Sequence, residues 1–145
     1  MRRRSAGRLV PLLGALAWGC GGEFFTGPQV DVTDVEPGPA VYSASGSFSP
    51  LAYAASGRAT YRIDEEGNAA LELSELSIPP VPGTAVFLSN EPDLAGAVRV
   101  GDLAPGLTSA RWTFRMPRGA VWRYVLVWSE ELGVGVGRAA LTPDG

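Results

Sequence analysis

The sequence predicts an all-β fold, a single antiparallel β-sandwich of the jelly-roll or immunoglobulin-like kind. Apolar and polar residues alternate with a period of two in several segments after residue 41, which is typical of half-buried strands. Turn residues separate these segments at close spacing, and no segment has the 3.6-residue period of a convincing helix. Seven or eight short strands in about 100 residues are typical of a sandwich.

The first half of this domain predicts a hairpin followed by two compact strands. Residues 58–63 alternate clearly, and the Asp-Glu-Glu-Gly-Asn run at 64–68 predicts the hairpin turn, because glycine and asparagine tolerate positive φ. Residues 78–83 contain three prolines, which cannot donate to a strand ladder, so we expect a loop there. Residues 85–89 and 97–103 predict apolar strands. An edge position for the first of them would allow pairing with a second copy.

The second half predicts three further strands. Residues 111–116 alternate arginine or threonine with Trp, Phe and Met, and Pro117 ends the strand. Residues 121–128 are apolar on both faces apart from Arg123, which predicts a position in the middle of the fold. Residues 134–141 close the series.

The N-terminus predicts a lipoprotein signal peptide, residues 1–19, followed by an acylated cysteine, Cys20. Four arginines precede an apolar stretch at 9–18 that is too short to span a bilayer. The order Ala-Trp-Gly-Cys resembles the bacterial lipoprotein motif, in which a small residue precedes the cysteine that receives diacylglyceryl and palmitate chains. The alternatives are secretory cleavage after Ala17, which leaves a free thiol, and a buried helix of the fold.

Acylation at Cys20 implies a lipid-anchored protein of the bacterial cell envelope. No aspartate follows the cysteine, which favours the outer membrane or a periplasm-facing location, and a soluble secreted or periplasmic protein is the alternative. Residues 20–40 are rich in glycine, proline and acidic residues and predict a flexible tether. The folded domain is then predicted for residues 41–145.

Composition excludes several kinds of chemistry. The chain has no histidine and a single cysteine, so it cannot build a histidine-dependent triad, a His/Cys zinc site or an internal disulfide. Without the signal peptide, eight arginines face fifteen acidic residues, a formal charge of −7. Such a domain is a poor candidate for binding nucleic acid or anionic lipid. We therefore expect no catalytic residues, no metal and no cofactor.

A series of strand-and-turn motifs runs through residues 45–143. They are GSF at 46–48, ASGRATY at 55–61, ALEL at 70–73, PGTAVFLS at 82–89, VGDL at 100–103, MP at 116–117, YVLVW at 124–128 and VGRAAL at 136–141. In this order and spacing they resemble the DM-thirteen domain, an extracytoplasmic β-rich module found beside DOMON domains. The resemblance implies a β-rich fold and a role in electron transfer.

The sequence departs from that family at its reactive position. The family has a cysteine, its proposed redox residue, directly after the tryptophan of the penultimate strand, and Ser129 stands there in this chain. A hydroxyl cannot cycle through thiol, sulfenate and disulfide states. In addition, Gly83-Thr84-Ala85 replaces the family's Pro-Asp-Leu. This favours a scaffold reused for another task, with electron transfer through a different residue or a bound cofactor as the alternative.

Five side chains are candidates to face a ligand. Three tryptophans could stack on a ring, and two arginines on one strand face could meet a carboxylate or sulfate. These residues are Trp112, Trp122, Trp128, Arg111 and Arg115. The alternatives are that the tryptophans fill the core and that the arginines pair with acids such as Glu72 on a neighbouring strand.

The function predicted from these observations is that of a membrane-anchored, non-catalytic module. The N-terminal lipid is its predicted contact with the membrane. Its other partner is expected to be an envelope protein or a small ligand, and not a nucleic acid.

Overall fold

The computed structural model describes residues 25–144, which form one antiparallel sheet that curls almost into a barrel. The strands are β1 Asp31–Val32, β2 Tyr42–Pro50, β3 Ser56–Ile63, β4 Asn68–Ser77, β5 Thr84–Ser89, β6 Val98–Asp102, β7 Ala110–Arg115, β8 Tyr124–Ser129, β9 Val134–Ala140 and β10 Thr142–Pro143. The predicted all-β antiparallel fold is confirmed. None of the described residues belongs to a helix that is long and apolar enough to cross a membrane. The predicted signal peptide and Cys20 lie outside the described residues.

The strand order in the sheet is β1-β7-β4-β3-β2-β9-β8-β5-β6. Strands β2, β3 and β4 form a meander whose turns are local in sequence, and β5–β6 and β8–β9 are hairpins. One edge of β2 is shared, since β9 pairs with its last residues and β10 with Ala44 and Ser45. These local pairings explain why period-two patterns alone locate most strands.

The two ends of this strand order are joined by residues 28–33, which we call the closing segment. Its first half runs parallel to β6: Arg99 N donates to the Pro28 carbonyl and Val30 N to the Arg99 carbonyl, both at 2.9 Å. Its second half, β1, pairs antiparallel with β7. This differs from the flexible tether predicted for residues 20–40, because β6 and β7 offer unpaired backbone groups that the segment satisfies.

Strand β5 lies inside the sheet. It pairs along its length with β8 on one side and with β6 on the other. All six of its residues are buried. The prediction that residues 85–89 form an edge strand free to pair between chains is therefore wrong, because both edges of the strand are occupied within the chain.

The interior of the curled sheet holds one main apolar core. Its members come from the inward faces of nearly every strand and from the closing segment, which contributes Val30. The largest side chains that are fully buried in this core are Tyr61, Phe114, Ile63, Leu71, Leu73 and Leu88. Because side chains alternate across a strand, each strand that faces this core presents its other residues to the outer face of the sheet.

The β3–β4 turn is organised by a buried carboxylate, Asp64. Its two oxygens accept hydrogen bonds from the backbone N–H groups of Gly38, Glu66 and Asn68, each at 2.9 Å, and from the Asn68 side-chain amide at 3.2 Å. The hydrogen bond from Gly38 and the others favour the charged form and lower the pKa of Asp64 from 3.8 to about 2. The carboxylate thus ties the stretch that follows the closing segment to the hairpin.

The backbones of β2 and β9 approach closely at Gly46 and Ala140. A Cβ on Gly46 would overlap the carbonyl oxygen of Ala140, which belongs to the backbone and cannot rotate away. Glycine is therefore required here by the close approach of two backbones.

Removal of the Asp64 charge should change how stability depends on acid. The folded-state pKa lies below the usual value, so the stabilisation is complete above about pH 4 and is lost as the pH falls towards 2. We expect Asp64→Asn to lower the melting temperature at pH 7 by several degrees and to flatten its fall between pH 4 and 2. Thermal denaturation followed by circular dichroism measures both. The matched variant Glu65→Gln, on an exposed side chain of the same turn, should behave like wild type.

Addition of one methyl group at Gly46 should destabilise the fold. Gly46→Ala forces β2 and β9 apart, and overpacking of this kind costs about 1–3 kcal/mol of unfolding free energy. Urea denaturation measures the loss, with Ser47→Ala, on the exposed neighbouring residue, as the control. Equal stability of the two variants would contradict the close approach.

Candidate functional site

The outer wall of β8 and β5 carries a second apolar cluster, separate from the main core. Ala85, Phe87, Ala97 and Leu126 are its buried members, and four partly buried side chains pack against them: Phe25, Leu94, Tyr124 and Trp128. Strand β8 is therefore apolar on both faces, with Val125 and Val127 turned inward and Leu126 outward. This agrees with the central position predicted for residues 121–128, since β8 lies between β9 and β5.

Phe25 covers this cluster from the N-terminal side. Its ring meets Phe87 edge to face, with centroids 4.9 Å apart and planes inclined by 69°. This geometry is favourable for aromatic pairs. Phe25 thus packs on the sheet, although it lies within residues 20–40, for which the sequence predicts a flexible tether.

A cleft of about 480 Å³, which we call the outer-wall cleft, opens beside Trp128. Three stretches of chain surround it: the segment before β1, the β5–β6 loop and the β8–β9 turn. Its lining residues are Phe25, Thr26, Gly27, Pro28, Leu94, Gly96, Ala97, Trp128, Ser129, Glu130 and Gly133. The Trp128 indole is thus the largest side chain of a cleft that is otherwise lined mainly by small residues.

The position of the Trp128 ring depends on its neighbour in β9. Gly135 is the cross-strand partner of Trp128, and a Cβ on Gly135 would lie 2.9 Å from Cζ3 of the indole. Glycine at 135 therefore leaves room for the indole next to β9. Trp128 keeps part of its surface exposed in the cleft.

An ion-pair cluster centred on Arg99 borders one side of the cleft, where Glu130 lines it. The guanidinium donates to Glu130 through Nε and Nη2, both at 2.9 Å, and also contacts Asp102. These hydrogen bonds, first of all those to Glu130, hold the pKa of Arg99 above its ordinary value. Because the Arg99 backbone also pairs with the closing segment, this residue joins that segment to the β8–β9 turn.

Ser129 is fully buried. Its hydroxyl donates to the Pro82 carbonyl at 2.6 Å and accepts from Leu132 N at 3.0 Å. Both hydrogen-bonding functions of the side chain are used in holding the β8–β9 turn against the proline-rich loop. Ser129 is thus a structural residue of the turn, although it borders the cleft.

The structure separates the three candidate tryptophans. Trp128 lies on the outer wall, whereas Trp112 and Trp122 pack partly buried against the main core. Trp112 covers Gly101, and its edge lines a second, more open cleft of about 650 Å³ near Leu103 and Leu107. The Trp122 indole nitrogen is buried and has no hydrogen-bond partner among the described residues.

The two candidate arginines lie on β7 and are engaged by other residues. Arg111 forms a bidentate pair with Glu36, at 2.6 and 2.8 Å, and reaches its cross-strand partner Glu72 at 3.5 Å. The hydrogen bond from Arg111 lowers the pKa of Glu36 below its usual value. Arg115 donates to the Asn68 side chain and to the Glu66 carbonyl, both at 3.0 Å. The contact of Arg111 with Glu72 agrees with cross-strand pairing, which the sequence allows as the alternative to ligand binding.

Within residues 25–144 no three acidic or cysteine side chains gather as ligands for a metal ion. The residues that sequence reasoning missed are Phe25, Leu94, Arg99 and Glu130. None belongs to a motif, and the Arg99–Glu130 pair joins residues 31 positions apart, so no local signal identifies it. No family model, no curated protein and no solved structure matches this chain.

A cysteine at position 129 should be inaccessible in the folded protein. We expect Ser129→Cys, in a Cys20→Ser background, to react slowly with a thiol reagent under native conditions and fully after denaturation, because the site is covered on all sides. Leu132→Cys, three residues further along the same turn and 47% exposed, is the matched control and should react at once. Equal native rates would contradict the buried position.

Proposed function

We propose that this chain is a lipoprotein of the bacterial envelope, acylated at Cys20, whose barrel-like sheet is a non-catalytic binding module. The proposal rests on the cationic and apolar N-terminus that leads to Cys20. Phe25, five residues after Cys20, packs on Phe87 and so places the proposed anchor beside the sheet. Two or three acyl chains on one residue would give stable attachment, which a single chain does not.

The engaged state of the reactive side chains supports a binding role over a catalytic one. The Ser129 hydroxyl holds a turn, and Arg99 and Arg111 neutralise carboxylates. General acid–base or nucleophilic chemistry requires a group that is free to reach a substrate atom. In contrast, the outer-wall cleft offers the partly exposed Trp128 indole on a strand that is paired on both sides, and such a side chain can contact a partner.

The alternative is a redox accessory domain of the DM-thirteen type that acts through a residue other than Ser129 or through a bound cofactor. The order of motifs in residues 45–143 favours it. The two proposals differ in a simple observable. Protein purified from its native host should be colourless under the first, whereas a haem absorbance that shifts on reduction, or a copper absorbance that is lost on reduction, would favour the second.

Replacement of the anchor residue should release the protein from the membrane. We expect Cys20→Ser to block acylation and maturation. Treatment of cells with globomycin, which inhibits lipoprotein signal peptidase, should block only the cleavage and leave a precursor that keeps its signal peptide. Membrane fractionation and mass spectrometry of the N-terminal peptide measure the two effects. Ser47→Ala, far from the N-terminus, is the control. If Cys20→Ser kept the wild-type mass shift and membrane retention, the lipoprotein proposal would be wrong.

A further inference from the structure

We infer that the outer-wall cleft is a docking surface for a lipid bilayer, and that the bilayer it fits is zwitterionic. The inference rests on the proposed acylation of Cys20 and adds an orientation to it: the wall formed by β5 and β8 faces the membrane. Four apolar side chains around the cleft carry the contact, and they are Phe25, Leu94, Trp128 and Leu132.

The length of chain between the anchor and the fold limits how far the cleft can lie from the membrane. Five residue steps separate Cys20 from Phe25, so the two Cα atoms are at most about 18 Å apart, whatever conformation the intervening residues adopt. A free tether over residues 20–40 would have allowed about 70 Å. Because Phe25 is fixed on Phe87, the short linkage holds the outer wall next to the bilayer surface.

The chemistry of the cleft matches the interfacial zone of a bilayer. Trp128, Phe25 and Leu94 are each partly exposed around it, and Leu132, in the adjoining turn, is 47% exposed. Tryptophan is favoured at membrane interfaces because its ring is apolar and its N–H is polar. The apolar cluster beneath these side chains gives them a rigid support.

The charges near the cleft select the kind of lipid. Glu130 is neutralised by Arg99, but Asp93 beside Leu94 and Glu131 beside Leu132 are exposed acids. The mature chain also carries a formal charge of −7. An anionic surface would repel this face within a Debye length, whereas a zwitterionic surface would not.

A pair of cysteine probes tests the orientation. Acylation consumes the thiol of Cys20, so a single cysteine introduced elsewhere can be labelled in the acylated full chain with an environment-sensitive fluorophore. Leu132→Cys, beside the cleft, and Val121→Cys, near the other end of β8, are 47% and 48% exposed in the parent residues and form a matched pair. Each labelled protein is reconstituted in phosphatidylcholine vesicles that contain spin-labelled lipid, and in vesicles with added phosphatidylglycerol.

We expect the probe at 132 to lose most of its emission in phosphatidylcholine vesicles, while the probe at 121 keeps its emission. When phosphatidylglycerol is present, quenching at 132 should be weaker. Equal quenching at both positions, or none at 132, in protein shown by mass spectrometry to be acylated, would overturn the orientation and leave the lipoprotein proposal intact. Stronger quenching on anionic vesicles would overturn the choice of lipid. Absence of acylation would overturn the lipoprotein proposal and this inference together.

Discussion

The hydrogen bonds that residues 28–33 make with two separate strands are the constraint on which the closed sheet depends. Strand β6 ends the strand order, and β7 lies next to β1 at the other end; without the closing segment, each would present a row of unpaired backbone groups. The closing segment satisfies part of both rows and inserts Val30 into the core between them. Arg99 strengthens this junction, because its backbone pairs with the segment while its side chain pairs with Glu130.

Polar side chains elsewhere serve the same closure. Asp64 binds the backbone of Gly38, and Arg111 binds Glu36, so the stretch between the closing segment and β2 is held at two points, by the β3–β4 turn and by β7. A carboxylate that accepts several backbone hydrogen bonds stays ionised well below neutral pH, which keeps this fastening intact. Residues that resemble binding groups in the sequence are thus largely structural in the fold.

The outer wall shows how the fold gives one strand two tasks. Strand β8 supplies Val125 and Val127 to the interior and Leu126 and Trp128 to a surface cluster that Phe25 covers. The sequence indicates the doubly apolar strand but not what covers its outer face, since Phe25 lies 101 residues before Leu126 along the chain. That contact places apolar surface beside the proposed anchor, and the proposed orientation on the membrane depends on this proximity.

The sequence by itself determined the antiparallel all-β class, the turn at Asp64 and the absence of histidine or paired-cysteine chemistry, because strand alternation, turn residues and composition are local properties. Only the tertiary structure decided that residues 28–33 belong to the sheet, that β5 is interior and that Trp128 faces outward while Trp112 and Trp122 pack on the core. Those outcomes depend on which strands become neighbours. Neighbours are selected by packing and backbone pairing between residues far apart in the chain, which no local pattern records.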